Sequence, residues 1–285
     1  MADESQVKVS YYLKNPVTCP VCKTLFYKEE MLSGGGRLIA KTITDELRRV
    51  YEPSKKVGEI HPLIYPVTVC PECLYAAYAE DFPHLRIEHV PIAFSQRVMR
   101  KEEIAAIFPV MSFKEPRSLS SGAASYILSI GSYSFHPKER APTFKKALSS
   151  LRAAWIFDDL DKKHPGQNYD RIKVLLYRKT IDYYERSINF AQNGQERIDS
   201  VKNFGPDLDK NYGFQGVLFM FTRLLYKYGD DSNKKTRIAK LQSSRRIISR
   251  VFGTGKSSKT KPSFILELAK ELYEEIGVKI DEIIG

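Results

Sequence analysis

Two Cys-Pro-x-Cys turns constrain this chain more than any other feature: Cys19-Pro20-Val21-Cys22 and Cys70-Pro71-Glu72-Cys73. They use all 4 cysteines of the 285 residues. Such a turn is a knuckle whose backbone N–H groups point at sulfur, and proline in its second position presets the bend. One knuckle supplies two ligands, so two are needed to close a tetrahedral four-thiolate site with bonds of about 2.3 Å. Residues 23–69 separate them, a gap longer than a compact zinc ribbon holds and suited to a ribbon carrying an insertion. With no cysteine to spare, the set fits one closed structural Zn²⁺, without an open position for water or substrate. Iron in the same S4 geometry is the competing metal, because sequence does not separate the two. Redox chemistry of a Cys-x-x-Cys favours a helix start, whereas strand signals enter both knuckles here. His61 and His84, the histidines nearest the knuckles, read as surface or core residues rather than ligands.

Paired cysteines are read as metal ligands in a reducing compartment and as disulfides in an oxidising one. The acidic start Met-Ala-Asp-Glu-Ser lacks the apolar stretch of a secretory signal, and runs such as Val217 to Phe221 are far too short to span a bilayer. A cytoplasmic protein is therefore expected. Its 42% apolar content allows a real core.

Charge is unevenly placed. Of 45 Lys/Arg and 34 Asp/Glu, residues 1–115 hold 15 of each, so the whole net charge of +11 belongs to the rest. From Ser232 to Leu266 there is no acid but there are bases at Lys234, Lys235, Arg237, Lys240, Arg245, Arg246, Arg250, Lys256, Lys259 and Lys261. Such a block attracts acidic partners. The plainer reading is a solvated basic helix.

The expected architecture is α+β: a small β-rich, zinc-ribbon or rubredoxin-like head over residues 1–95, a linker over 96–118, and an all-α, tetratricopeptide-like region over 119–285. Tyr11 to Leu13, Leu25 to Tyr27 and Leu63 to Val69 carry strand signals. Gly34 to Gly36 marks a turn, and Thr44 to Tyr51 reads equally as a helical turn or a loop. Beyond residue 96 the apolar period becomes 3.6. Helices are predicted around Ala123 to Ile130, Phe144 to Leu160, Ile172 to Ala191, Phe214 to Tyr228, Ile238 to Phe252 and Ile265 to Ile280, with Gly229 and Gly253 as stops and Pro262-Ser263 as a start. The segments Leu225-Tyr226…Gly229 and Leu272-Tyr273…Gly277 are faintly alike. Their spacing is not that of a 34-residue tetratricopeptide array, and a plain helical bundle is the alternative.

Other chemistry fails on inspection. Gly253-Thr254-Gly255-Lys256-Ser257 has the look of a phosphate-binding loop, yet its required first glycine would fall at Arg250 and no buried strand precedes it. The neighbours Glu80-Asp81 and Asp158-Asp159 point to different faces of an element and do not form an acid–base pair.

Around the second knuckle stand His61-Pro62-Leu63-Ile64-Tyr65, Val69-Cys70-Pro71-Glu72-Cys73, Tyr75-Ala76-Ala77-Tyr78 and Asp81-Phe82. Downstream stands Leu151-Arg152-Ala153-Ala154-Trp155. Together with the first knuckle and Phe26, these resemble the bacterial family catalogued as domain of unknown function 2225. The likeness covers most of the chain and is sharp over 17–82 and 143–160. It implies a zinc-ribbon-like head with Cys19, Cys22, Cys70 and Cys73 as ligands, followed by tetratricopeptide-like helices, and it supplies no catalytic residue. Many members have glycine after a knuckle's last cysteine, where a left-handed residue is easy; here Lys23 and Leu74 stand there.

The expected function is a non-enzymatic zinc-binding module or scaffold for a protein partner, its 17 tyrosines being favoured interface residues. The partner-binding candidates are Lys234, Lys235, Arg237, Lys240, Arg245, Arg246 and Arg250. Nucleic-acid binding through this basic helix is the alternative, although the head is neutral and the helix lacks interleaved exposed aromatics. An enzyme with its site between the two regions has no constellation in its favour; a deep polar pocket with shifted carboxylates or histidines would speak for it.

Overall fold

A computed structural model of the chain describes residues 8–32, 34–198, 201–252 and 263–285. Short antiparallel pairs occupy the N-terminal part, and helices the rest. β1 (Ser10–Tyr12) pairs with β4 (Glu29–Met31), and β2 (Val17–Thr18) with β3 (Leu25–Phe26), so one irregular hairpin carries the first knuckle at its tip. β5 (Ile39–Ile43) and β6 (Arg49–Glu52) form a second, bulged hairpin between the knuckles. Its turn, undecided between helix and loop from sequence, is bent by Thr44: the N–H groups of Glu46 and Arg48 both donate to Thr44 Oγ1. β7 (Val67–Val69) and β8 (Ala76–Tyr78) carry the second knuckle. A lone two-stranded pair is at best marginally stable in water, so each must be held at its tip or along its flank.

The helices are α1 (Val90–Ser95), α2 (Arg97–Ile107), α3 (Leu119–Ser132), α4 (Pro142–Lys163), α5 (Tyr169–Gln192), α6 (Gly213–Tyr228), α7 (Lys234–Phe252) and α8 (Ser263–Ile284). The six expected from periodicity are α3 to α8. A capping box between Ser118 and Ser121 starts α3, satisfying amides the helix cannot. Proline at the first turn suits the start of α4, because its missing N–H is not needed there. Phe144, Leu148, Leu151 and Trp155, spaced as one helical face, are all buried on α4, and Leu160 is buried on another side. Successive helices from α3 to α8 pack against one another, and α6 also meets α8. One continuous apolar core runs from Cys19 to Ile280. Among the described residues no helix is long and apolar enough to cross a membrane.

Two expectations change. The stretch expected as a linker, 96–118, contains α2. Its periodicity misleads because the buried positions are Arg100 and Ile104, while Val98 and Met99 face outward. Gly229 ends α6 with φ −61, not left-handed. A Cβ there would meet Arg237 Nη1 at 2.0 Å, so glycine serves close packing rather than a left-handed cap. The expected stop at Gly253, the start at Pro262, the loop Gly253 to Ser257 and the bases Lys256, Lys259 and Lys261 lie outside the described residues.

Candidate metal centre

Both knuckles close with the same hydrogen bonds. In the first, Cys19 N donates to Thr24 O at 2.9 Å and Lys23 N to Cys19 O at 3.0 Å; in the second, Cys70 N donates to Tyr75 O at 2.9 Å and Leu74 N to Cys70 O at 3.0 Å. The flanking registers match as well, Thr18 opposite Leu25 and Val69 opposite Ala76. The residue after each second cysteine is left-handed, Lys23 at φ 65 and Leu74 at φ 57. The turn thus demands the conformation glycine would give and imposes it on side-chain-bearing residues. Leu74 is buried, and its apolar contacts offset that strain.

The four cysteines meet. Cys19 Sγ lies 3.6 Å from Cys73 Sγ and Cys22 Sγ lies 3.4 Å from Cys70 Sγ, each contact crossing from one knuckle to the other. All four sulfurs fall within 4.8 Å of one another. Four thiolates bound at about 2.3 Å would form a tetrahedron with edges of about 3.8 Å, so the donor set fits a tetrahedral ion. The electrostatics agree. Sulfur hydrogen bonds from Cys70 and Cys73 draw the Cys19 thiol down to about 4. The same contacts push Cys73 far up, and Cys70 is raised chiefly by Cys19. One negative charge thus disfavours the next, and a divalent cation is what lets all four thiols deprotonate together.

The residues around the second knuckle fasten it to the helices. β8 is an edge strand whose outward amides need partners. Ala76 N donates to Ser132 Oγ at 3.2 Å and Tyr78 N to Tyr133 Oη at 3.1 Å. Tyr133 in turn donates to Asp81 Oδ2 at 2.8 Å, and Lys145 pairs with the same buried carboxylate. Tyr75 Oη lies 2.9 Å from His136 Nε2, and burial pushes the His136 imidazole down to about 4. Tyr126 donates to Leu63 O at 2.8 Å. Arg152 donates to Pro206 O at 2.9 Å and Trp155 to Glu46 Oε2 at 2.8 Å. Asp81 is therefore a buried fastening point. His61 sits between Glu59 (3.2 Å) and Asp159 (3.8 Å), and the metal-capable group found among the described residues consists of the cysteines alone.

Two of the seven bases proposed as a face turn inward. Arg237 is buried; its Nη1 donates to Leu225 O at 2.6 Å, its Nη2 to Tyr226 O at 2.8 Å, and its Nε pairs with Asp231. Arg245 stacks over Tyr273 at 4.1 Å. The faint likeness of the two Leu-Tyr…Gly segments now has a cause, since Gly229 makes room for Arg237 and Gly277 for Arg245. Lys234, Lys235, Lys240, Arg246 and Arg250 are exposed.

Sequence reasoning missed Arg100, which is buried and donates twice to Cys73 O. It also missed Glu46, a buried acceptor for Trp155, Tyr177, Lys227 and Tyr228. Neither stands near a motif, and their partners are distant in the chain.

A polar cleft of about 440 Å³ lies between the inserted hairpin and α4 to α6, lined by Arg48, His61, Asp158, Asp159 and Lys173 among others. Burial lowers His61, and Asp158 is held low by Lys162 and Lys173 against the opposing effect of its burial. Arg48 pairs with Asp159.

A family model described as "Uncharacterized protein conserved in bacteria (DUF2225)" matches residues 12–276. An "Uncharacterized protein" of Borreliella burgdorferi is 39% identical over 270 residues, covering 95% of this chain and 97% of that relative. No solved structure matches the chain.

Proposed function

The chain belongs to this family of proteins conserved in bacteria, and on that premise we propose that it is a non-enzymatic protein-interaction module held together by one structural Zn²⁺. The observation that carries the metal reading is the convergence of four sulfurs, two from each knuckle, within 4.8 Å. Cys19, Cys22, Cys70 and Cys73 would hold the ion, closing a zinc-ribbon-like head on a tetratricopeptide-like layer. The ion would supply cross-linking and charge neutralisation, with every position taken by the protein.

The interaction reading is supported by the outer side of α1 and α2. Ile92, Phe94, Val98 and Met99 are between 41% and 53% exposed, and exposed apolar side chains on consecutive helices offer contact area to a partner. The nucleic-acid alternative is weakened, because Arg237 and Arg245 are engaged inside the helical layer. The cleft favours an enzymatic reading as second choice. Against it, Asp158 and Asp159 are each engaged in ion pairs, which is the work of a structural interface.

Elemental analysis of purified protein tests the metal, with about one zinc per chain expected by this reading. Affinity capture from native cytoplasm, with and without nuclease, tests the partner class. Nuclease-resistant, salt-tolerant capture of a protein is the expected result, and loss on nuclease treatment would transfer the reading to nucleic acid.

A further inference from the structure

We propose that Arg100 is the fixed counter-charge of the four-cysteine centre and thereby sets how tightly the metal is held. The inference rests on the metal reading above and concerns a residue outside both knuckles.

Arg100 is 5% exposed. Its Nε and Nη2 donate to Cys73 O at 3.0 and 2.8 Å, and Nη2 also donates to Ala93 O at 2.7 Å. All these acceptors are neutral carbonyls, and Nη1 is buried without a partner among the described residues. A guanidinium keeps its charge in a protein, and a buried charge without a counter-charge is strongly unfavourable. Arg223 and Arg237 are comparably buried, and each meets a carboxylate, Glu275 and Asp231. Arg152, also bonded to carbonyls, has Asp207 among its electrostatic neighbours. The side chains that act on the Arg100 charge include Cys73, Cys19 and Cys70, which would be thiolates together once a divalent ion is bound.

Four thiolates around a divalent ion carry a net charge of −2. Arg100 reaches the backbone of one ligand and places a permanent positive charge beside that dianion. The two charges balance in part, so each answers a need of the other. This also accounts for α2 burying an arginine at a position where an amphipathic helix would bury an apolar residue.

The test separates charge from stapling. Full-length Arg100→Met and Arg100→Gln remove the charge, and the glutamine keeps a donor for Cys73 O; Arg100→Lys keeps the charge with a different donor geometry. Zn²⁺ affinity is read by competition with a chromophoric chelator. Assembly is read from the thiolate-to-metal band of the Co²⁺-substituted protein, with far-UV circular dichroism as the check on folding. Loss of a residue supporting a metal ligand costs about 10–100-fold in affinity. Arg100→Met and Arg100→Gln are expected to fall in that range with the Co²⁺ band retained, and Arg100→Lys to stay several-fold closer to the unsubstituted protein. If Arg100→Lys loses as much as Arg100→Gln, or if the charge-removing variants lose nothing, the counter-charge role is overturned. Should Arg100→Met fail to fold, the comparison of Gln with Lys decides. An unsubstituted protein that binds neither Zn²⁺ nor Co²⁺ refutes the metal reading itself, a different outcome from metal binding that ignores the charge.

Discussion

Trp155 Nε1 donates to Glu46 Oε2 across 2.8 Å, tying the turn of the inserted hairpin to the middle of α4. Tyr177, Lys227 and Tyr228 converge on the same carboxylate from α5 and α6, and the two tyrosine rings stack with centroids 3.9 Å apart. Glu46→Ala strands Trp155, Tyr177 and Tyr228 and leaves Lys227 with Asp45 alone. Removing one partner of a buried charged cluster costs about 3–5 kcal/mol, the loss expected in urea denaturation. Burial raises the Glu46 carboxyl, but Lys227, Tyr228 and Tyr177 more than offset this and leave it below the ordinary 4.5. A depressed carboxylate contributes stability above its unfolded pKa and loses it as pH falls through the lower folded value. The contribution should be complete above about pH 4.5, disappear on further acidification, and be missing from the pH profile of Glu46→Gln.

Changing Cys19 and Cys70 together to Ser removes one sulfur from each knuckle. Bound zinc should drop from one equivalent to near zero by elemental analysis. Structural zinc contributes about 10–16 kcal/mol apparent stabilisation, whereas a whole domain has about 5–15. The head should therefore come apart rather than loosen, seen as rapid proteolysis between residues 8 and 82 while the helices retain their far-UV signal.

Local signals carried much of this molecule and failed at identifiable places. Cysteine spacing and apolar period need only neighbouring residues, so the paired cysteines and the helices α3 to α8 were legible. The docking of the head was not, because Glu46 and Trp155 are 109 residues apart and no short-range pattern links them. α2 was hidden because its buried face contains Arg100 and its exposed face contains Val98 and Met99. Arg237 and Arg245 looked like surface charges because sequence shows charge, whereas the carbonyls and the ring they meet belong to α6 and α8.

The two left-handed knuckle residues, Lys23 and Leu74, predict opposite responses to glycine. A non-glycine residue in this region costs about 1–2 kcal/mol. Lys23 is exposed, so Lys23→Gly should stabilise by somewhat less than that, part of the gain being lost to the entropy of the unfolded chain. Leu74 is 8% exposed. Removing its side chain forfeits about 1.5–3 kcal/mol of burial and leaves a cavity. Leu74→Gly should therefore destabilise, and thermal melts of the zinc-loaded variants should move in opposite directions.

A Cβ added at Gly122 would meet Ile64 Cγ2 at 2.6 Å and Ile64 Cβ at 2.7 Å. This is where α3 crosses the Pro62–Ile64 turn leading into the second knuckle. Overpacking of this kind costs about 1–3 kcal/mol, so Gly122→Ala should lower the denaturation midpoint. Adding Ile64→Val should not restore it, because valine keeps both clashing carbons.

Lys235 and Arg246 stand three turns apart on the exposed side of α7, opposite Leu241, Ser244 and Ile248, which are fully buried. Surface substitutions of this kind change stability by less than about 0.5 kcal/mol, so Lys235→Glu with Arg246→Glu should melt like the parent protein. Arg237→Glu differs. It would set a carboxylate against the carbonyls of Leu225 and Tyr226 and beside Asp231, with an expected loss of about 3–5 kcal/mol. If the basic side of α7 recruits an acidic partner, the double reversal weakens capture while the fold survives, and the weakening is largest at low salt, where screening is least. Capture that is unchanged at low salt would leave Lys235 and Arg246 as solvated surface and point the search for the partner site to other surface, including the exposed apolar residues of α1 and α2. Circular dichroism and capture measured on the same preparations distinguish these outcomes, since Arg237→Glu controls for what unfolding of α7 alone does to binding.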